Sequence, residues 1–284
     1  ALSTDMLVEG RHFLSTVDPA RLGHKCLAVN LSDLAACGAQ ARAFLLSLSI
    51  PRADEAWLAG FSRGLFNLAD AHGCELVGGD TTLGPLNISI TVIGDVPHGQ
   101  ALLRSGAQVG DDIYVSGSLG DARLALEAFR GTVSLPESIF RSCRDRMEQP
   151  TPRIALGMAL RGVASAAADI SDGLWGDLGH ILRQSRVGAV LELDICERLM
   201  ACSDLVSLSP DWIRTCVLSG GDDYELVFTA PPAARQAVQH AAISSMTPVT
   251  RIGTVTAQPN LELRDAQGQA ISARFASFDH FSQG

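Results

Sequence analysis

The chain of 284 residues carries 31 acidic and 22 basic side chains, a formal net charge of −9. It has no basic cluster, which excludes a nucleic-acid binder, since affinity for that polyanion rests on clustered Lys and Arg neutralising phosphates. The length suits one large or two moderate domains. With few aromatics, packing must rest on Ala, Leu and Val, and the 27 glycines allow close backbone approaches between layered helices and strands. Cys26, Cys37, Cys74, Cys143, Cys196, Cys202 and Cys216 are odd in number and form no C-x-x-C pair. They read as buried apolar residues of a reduced, cytoplasmic protein. No apolar run is long enough to span a bilayer and no signal peptide is read, so no membrane partner is expected.

Ala1-Leu2-Ser3-Thr4-Asp5 reads as the end of a strand whose earlier part is expected upstream. The spacing of Leu22, Leu27, Leu31, Leu34 and Ala35 predicts a helix over 21–39, with Asp33 projecting among small residues. An apolar strand at 43–50 stops at Pro51, and Asp54 caps a second helix in which Trp57, Phe61, Leu65 and Leu68 recur at helical spacing. Strands are expected at 75–78 and 87–95, with Gly78-Gly79-Asp80 ending the first.

Arg104-Ser105-Gly106-Ala107 and the turn Gly110-Asp111-Asp112 open a second unit, placing a boundary near residue 100 and dividing the chain into 1–100 and 101–284. Strand Ile113-Tyr114-Val115 leads through Gly117-Ser118-Leu119-Gly120-Asp121 to an alanine- and leucine-rich helix, a glycine-rich entry able to present backbone donors to an anion. Thr151-Pro152 predicts a helix start, and that helix leads through Ala166-Ala167-Ala168 to Asp169. Asp169 and Asp172 bracket Ser171 between a short apolar strand and a helix holding Leu174, Leu178 and Ile181. One aspartate of the pair can cap that helix while the other faces a ligand. A strand at 189–193, helices near 195–202 and 210–217, strand Leu226-Val227-Phe228, a helix at 232–243 and a strand at 249–255 complete an α/β or α+β pattern.

Five aspartates stand out, four beside glycine, serine or threonine and one two residues from Ser171: Asp5, Asp33, Asp80, Asp172 and Asp169. Any one of these motifs reads equally as a turn or a helix cap. Together they suit a site where carboxylates on several turns share Mg²⁺ ions with polyphosphate, because hard divalent cations take oxygen ligands. Lys25 is the only lysine and follows no glycine-rich loop, which excludes a Walker P-loop. The protein-kinase H-R-D and D-F-G runs are absent as well. The phosphates of ATP, if bound here, must be neutralised chiefly by metal on carboxylates.

The segments Ser3-Thr4-Asp5-Met6-Leu7-Val8-Glu9-Gly10-Arg11-His12-Phe13, His24-Lys25 with Asn30-Leu31-Ser32-Asp33, Gly78-Gly79-Asp80-Thr81-Thr82, 169–174 and 219–226 resemble the thiamine-monophosphate kinase family, in order and as far as Phe278-Asp279-His280-Phe281. The resemblance implies the two-domain fold of the aminoimidazole ribonucleotide synthetase superfamily, with an N-terminal domain that closes a β-barrel across a homodimer. It implies direct in-line transfer from ATP to thiamine monophosphate, giving thiamine diphosphate, with several Mg²⁺ ions. Ser3, Thr4, Asp5, Asp33, Asp80, Asp169 and Asp172 would hold the metals, and Gly79, Asp80, Arg104 and Ser171 would contact ATP.

On the acceptor side the resemblance implies roles for His12, for the Asp222-Asp223 pair, which stands where the family commonly shows Glu-Asp, and for Phe278, whose ring would stack on the cationic thiazolium. Read from the residues alone, His12 is a surface or hydrogen-bonded histidine and Phe278 packs the C-terminus. Family members also carry an acidic turn upstream of the Ser-Thr-Asp segment, and the sequence begins after it. Another synthetase of the superfamily is the nearest alternative. A nucleotide-binding regulator without turnover is the alternative of a different class.

Overall fold

The protein, as a computed structural model, is described over residues 1–271 and Phe275, and for Asp204 by its backbone only. The first unit comprises β1 (Leu2–Val8), α1 (Pro19–Ala36), β2 (Gln40–Ile50), α2 (Glu55–His72), β3 (Glu75–Leu83) and β4 (Asn87–Asp95). The four strands form one open sheet in the order β1-β4-β2-β3, with only β2 and β3 parallel. Both helices begin as their residues dictate. Asp18 accepts the N–H groups of Ala20 and Arg21 with Pro19 in the first turn of α1, and Asp54 accepts the Trp57 N–H to start α2. The helices meet at Gly64, where a Cβ would overlap the Ala20 carbonyl.

Gly78-Gly79-Asp80 does not end a strand. β3 runs on to Leu83, and Gly79 lies inside it at φ +147° because the Leu46 carbonyl occupies the place of a side chain. β3 is exposed along its whole length and forms one edge of the sheet. Among the described residues of one chain, the barrel implied by the resemblance is not closed.

The second sheet has six strands in the order β10-β7-β9-β5-β8-β6, namely β5 (Asp112–Ser116), β6 (Ala166–Ile170), β7 (Gly188–Glu192), β8 (Glu225–Ala230), β9 (Val249–Thr256) and β10 (Leu261–Arg264). Between them run α3 (Asp121–Phe129), α4 (Glu137–Glu148), α5 (Ile154–Ala159), α6 (Leu174–Ser185), α7 (Leu193–Glu197), α8 (Pro210–Ser219) and α9 (Arg235–Ser244). β5, β6 and β8 are wholly buried, since alternate side chains feed two different cores. Tyr114, Ala167, Leu226 and Phe228 pack with α1 and the first sheet. Ile113, Val115, Ala166, Ala168, Ile170 and Val227 pack with the helices of the second unit.

Two expected helix starts are corrected. Thr151-Pro152 precedes α5 without capping it, and α5 ends at Ala159, well before the 166–168 alanines, which belong to β6. Neither Asp169 nor Asp172 caps α6. Its N-cap is Gly173, and the N–H groups of Ser171 and Asp172 are instead bound by Asp177 from within the helix, each at 3.0 Å. Among the described residues, no helix is long and apolar enough to cross a membrane. Phe278 and Phe281 lie outside the described residues.

Candidate functional site

A cavity of about 470 Å³ lies where α1 meets the second sheet. The strand period explains its acidic wall. Asp169 shares its face of β6 with Ala167, the face turned to α1, and there accepts the Ser32 hydroxyl at 3.0 Å. Asp33 follows on α1 and accepts the Ser3 hydroxyl, so β1 is tied to the same point. Asp5, two residues along β1 on the same face, joins the wall, its backbone N–H bound to the Asn30 side chain at 3.0 Å. Ser171 and Asp172 complete it from the turn after β6.

Burial and mutual repulsion raise the affinity of this wall for protons. Asp5 is pushed up to about 6, by burial first and then by Asp33 and Asp172. Asp169 is pushed up to about 8, again chiefly by burial, with Asp33 and Asp177 adding to it and the Ser32 hydrogen bond opposing it. Asp33 is raised by burial against the opposing effects of Ser3 and the Arg104 guanidinium. Asp177 rises to about 7, with burial outweighing the two backbone hydrogen bonds that favour its charge. Carboxylates held together at this cost are relieved by a cation, and an all-oxygen donor set fits Mg²⁺. They line one part of the cavity, and no three of them bring ligand atoms within 4.8 Å of one another. Among the described residues, the one group of three metal-ligating side chains lying within 4.8 Å of one another is Asp121, Cys143 and Cys202, in the core of the second unit.

At the other end of the cavity the turn after β1 brings His12, whose Nδ1 accepts the Val8 N–H at 3.0 Å. Lys25, buried on α1, binds Asp222 Oδ1 at 2.9 Å and donates to the His12 carbonyl at 3.3 Å. Asp222 is held at φ +70°, with its N–H on the Ser171 carbonyl at 3.0 Å, so this turn is bolted to the one bearing Asp172. Arg123, Leu126 and Phe129 of α3 and its C-cap Arg130 add to the lining at helical spacing.

Of the residues singled out from the sequence, Asp5, His12, Asp33, Asp169, Ser171, Asp172 and Asp222 therefore line one cavity. Ser3 lies behind it, bonded to Asp33. Thr4 faces the other side of the sheet, 2.8 Å from the Thr91 hydroxyl, because neighbours on a strand point to opposite faces. Gly79 and Asp80 stand on the exposed edge strand β3 and are not part of the cavity wall. Arg104 lies in the exposed segment between the sheets, close enough to Asp33 for their charges to interact.

Asp223 turns away from the cavity. It is 1% exposed and accepts the Gly120 N–H at 2.8 Å, with its other oxygen unpartnered and its proton affinity raised well above normal by burial. Behind this turn the fully buried Glu225 binds Arg146, Arg153 and Ser116. The sequence reading missed Asp177, Arg123 and Arg130. The arginines had a legible signal in their spacing with Leu126 and Phe129, whereas an acid in a first helical turn reads only as a response to the helix dipole.

Known proteins resemble this chain along nearly its whole length. Residues 1–96 match the family model described as AIR synthase related protein, N-terminal domain, and residues 108–266 match that of the C-terminal domain. The chain is 43% identical over 285 residues to thiamine-monophosphate kinase of Escherichia coli K12, covering 99% of this chain and 86% of the relative. The crystal structure of thiamine-monophosphate kinase from Stenotrophomonas maltophilia K279a superposes with a TM-score of 0.88 at 44% identity, over 95% of this chain and 86% of that one. The structure described as AaThiL complexed with AMPPCP and TMP gives 0.82 at 28% identity, over 99% and 86%. The chain thus belongs to the thiamine-monophosphate kinase family, within the AIR synthase related proteins.

Proposed function

We propose that the protein transfers the γ-phosphoryl group of ATP to the phosphate of thiamine monophosphate by direct in-line attack, with Mg²⁺ bound at the acidic wall. The observation carrying this reading is the meeting of Asp5, Asp33, Asp169 and Asp172 at one end of a cavity whose other end holds His12, Lys25 and Asp222. A relative bound to AMPPCP and TMP and relatives named for this activity support it.

The obstacle to such a reaction is repulsion between two polyanions. Two unit charges ~4 Å apart repel by roughly 4 kcal/mol at an effective dielectric near 20, and each substrate brings several. Bound Mg²⁺ supplies the neutralising charge. The chain's part is to hold the four carboxylates on rigid elements, two of them on α1 and β6, and to align the acceptor. That acceptor is already an anion, so no general base is needed and positioning carries the catalysis.

Gly79, Asp80 and Thr4 join this scheme through a second copy. The open face and edge of the first sheet expose Leu2, Met6, Leu45, Val77 and Leu83, and an uncovered apolar edge of that kind favours pairing. A homodimer closing this face, as the β-barrel of the sequence resemblance, brings β3 against a partner and gives Gly79 and Asp80 a nucleotide and metal to contact.

The test is ADP release with thiamine monophosphate and Mg²⁺, set beside selenide and an aminoimidazole precursor as alternative acceptors. Turnover with thiamine monophosphate alone is expected. Turnover with another acceptor, or with none, overturns the proposal.

A further inference from the structure

The only lysine in the sequence lines the cavity, yet no step above uses it. Lys25, Val29 and Asp33 occupy every fourth position of α1 and all three line the wall. At the helical rise this sets Lys25 and Asp33 about 12 Å apart along one side of the cavity. The wall is therefore polar from end to end, with clustered carboxylates at one end and an ammonium at the other. The ammonium end is where His12 and Asp222 stand.

The burial of Lys25 is unusual for packing alone. The side chain is 4% exposed, and a lysine withdrawn from water is costly unless paired and hydrogen-bonded. An ammonium has three donors. Asp222 Oδ1 takes one at 2.9 Å and the His12 carbonyl another at 3.3 Å, which leaves the third for a group within the cavity. The carboxylate of Asp222 is itself about one-third exposed, and its Oδ1 also accepts the Tyr224 hydroxyl at 3.4 Å. The neighbouring cations are engaged differently: Arg123 and Arg130 both bind Glu127, at 2.8 and 3.0 Å.

We infer that Lys25 is the specificity-determining residue for the acceptor, holding its phosphate monoester by a charge-assisted hydrogen bond. It would thereby select thiamine monophosphate over unphosphorylated thiamine. The chemistry favours the phosphate over the thiazolium, because an ammonium repels the cationic ring and attracts the dianion. The carboxylates further along α1 attract the nucleotide's metals rather than the acceptor phosphate itself, and the long lysine side chain can hold that phosphate within reach of the γ-phosphoryl group, as in-line transfer requires. This inference rests on the proposed acceptor and goes beyond it by naming the group that reads the phosphate.

The experiment measures, by calorimetry on the full chain, the affinities of thiamine monophosphate, thiamine and a non-hydrolysable ATP analogue. The wild type is expected to bind the monophosphate more tightly than thiamine. In Lys25→Met the monophosphate should weaken about 10- to 100-fold, with thiamine and the nucleotide analogue changed less than about twofold. Lys25→Arg should recover part of the loss. Because Lys25→Met leaves the Asp222 carboxylate unpaired, the double variant Lys25→Met/Asp222→Asn, compared with Asp222→Asn alone, keeps the comparison available where the single variant fails to fold. Equal weakening of monophosphate and thiamine, or of monophosphate and nucleotide, overturns the inference. A wild type with no affinity for thiamine monophosphate would instead sink the proposed function, so the two failures are distinguishable.

Discussion

The carboxylate of Asp177 accepts the backbone N–H of Asp172 at 3.0 Å, reaching back from the first turn of α6 to the turn that precedes it. The same oxygen binds the Ser171 N–H. Both N–H groups belong to residues that precede the N-cap Gly173, so the carboxylate ties the turn down onto the helix and fixes the direction of Ser171 and Asp172. Asp177→Ala should therefore lower kcat by up to about a hundredfold, since a displacement of about 1 Å at a reacting group can cost that much. Asp177→Asn, which keeps an acceptor oxygen, should retain more activity than Asp177→Ala. Equal, wild-type-like rates in both variants would show that the turn holds itself.

The acidic wall makes the metal-free protein sensitive to pH. Asp5, Asp177 and Asp169 are raised to about 6, 7 and 8 in the folded chain, against an ordinary value of 3.8. Between those limits the folded state holds protons that the unfolded chain has released, so stability is fully present near pH 4 and falls as pH rises through 6 to 8. Thermal unfolding in EDTA at pH 5 and pH 8 should give the lower midpoint at pH 8. Adding Mg²⁺ should narrow the gap. A midpoint that rises with pH in EDTA contradicts the electrostatic description of the wall.

Asp169→Asn and Asp80→Asn separate burial from charge. Both should abolish turnover if both carboxylates serve metals. Asp169 is 5% exposed among other acids, so its neutralisation should raise the metal-free unfolding midpoint at pH 8. Asp80 sits on an exposed strand and its substitution should leave the midpoint unchanged. Wild-type-like rates in either variant would remove that residue from the metal set.

Glu225 supports the turn that carries Asp222. Its side chain is wholly buried and bound by Arg146 at 2.8 Å and by Arg153. Glu225→Gln leaves the two guanidinium groups without their shared charge and should cost about 3–5 kcal/mol, the range for breaking a buried ion pair on one side. Urea unfolding measures it, and a loss below about 1 kcal/mol would mean that solvent reaches the network.

The open face of the first sheet gives a test of assembly. Val77 is 57% and Leu83 78% exposed. Light scattering at micromolar concentration should find a dimer, and Val77→Arg with Leu83→Arg should yield a monomer with little or no activity. A monomeric native protein would leave Asp80 outside the site.

Local residue chemistry determined much of the secondary structure. Asp54 with the Trp57, Phe61, Leu65, Leu68 spacing specified α2, and the alternation of Ile88, Ile90 and Val92 specified β4, because caps and periodicity act within a few residues. The same logic failed at Gly78-Gly79-Asp80 and at Thr151-Pro152. A glycine pair reads as a turn until a neighbouring strand requires its missing side chain, and a good cap sequence does nothing without a helix packed behind it. The aspartates were visible as a set, but their grouping was not. Ser32 and Asp169 are 137 positions apart, and they meet because one face of β6 packs on α1. Adjacent Asp222 and Asp223 face opposite ways because Asp222 takes φ +70° under the hold of Lys25 and Ser171. Sequence supplied the charges and the elements. Packing of α1 on the second sheet decided which charges share a cavity, since no local rule sets the direction of a side chain whose partners are distant in the chain.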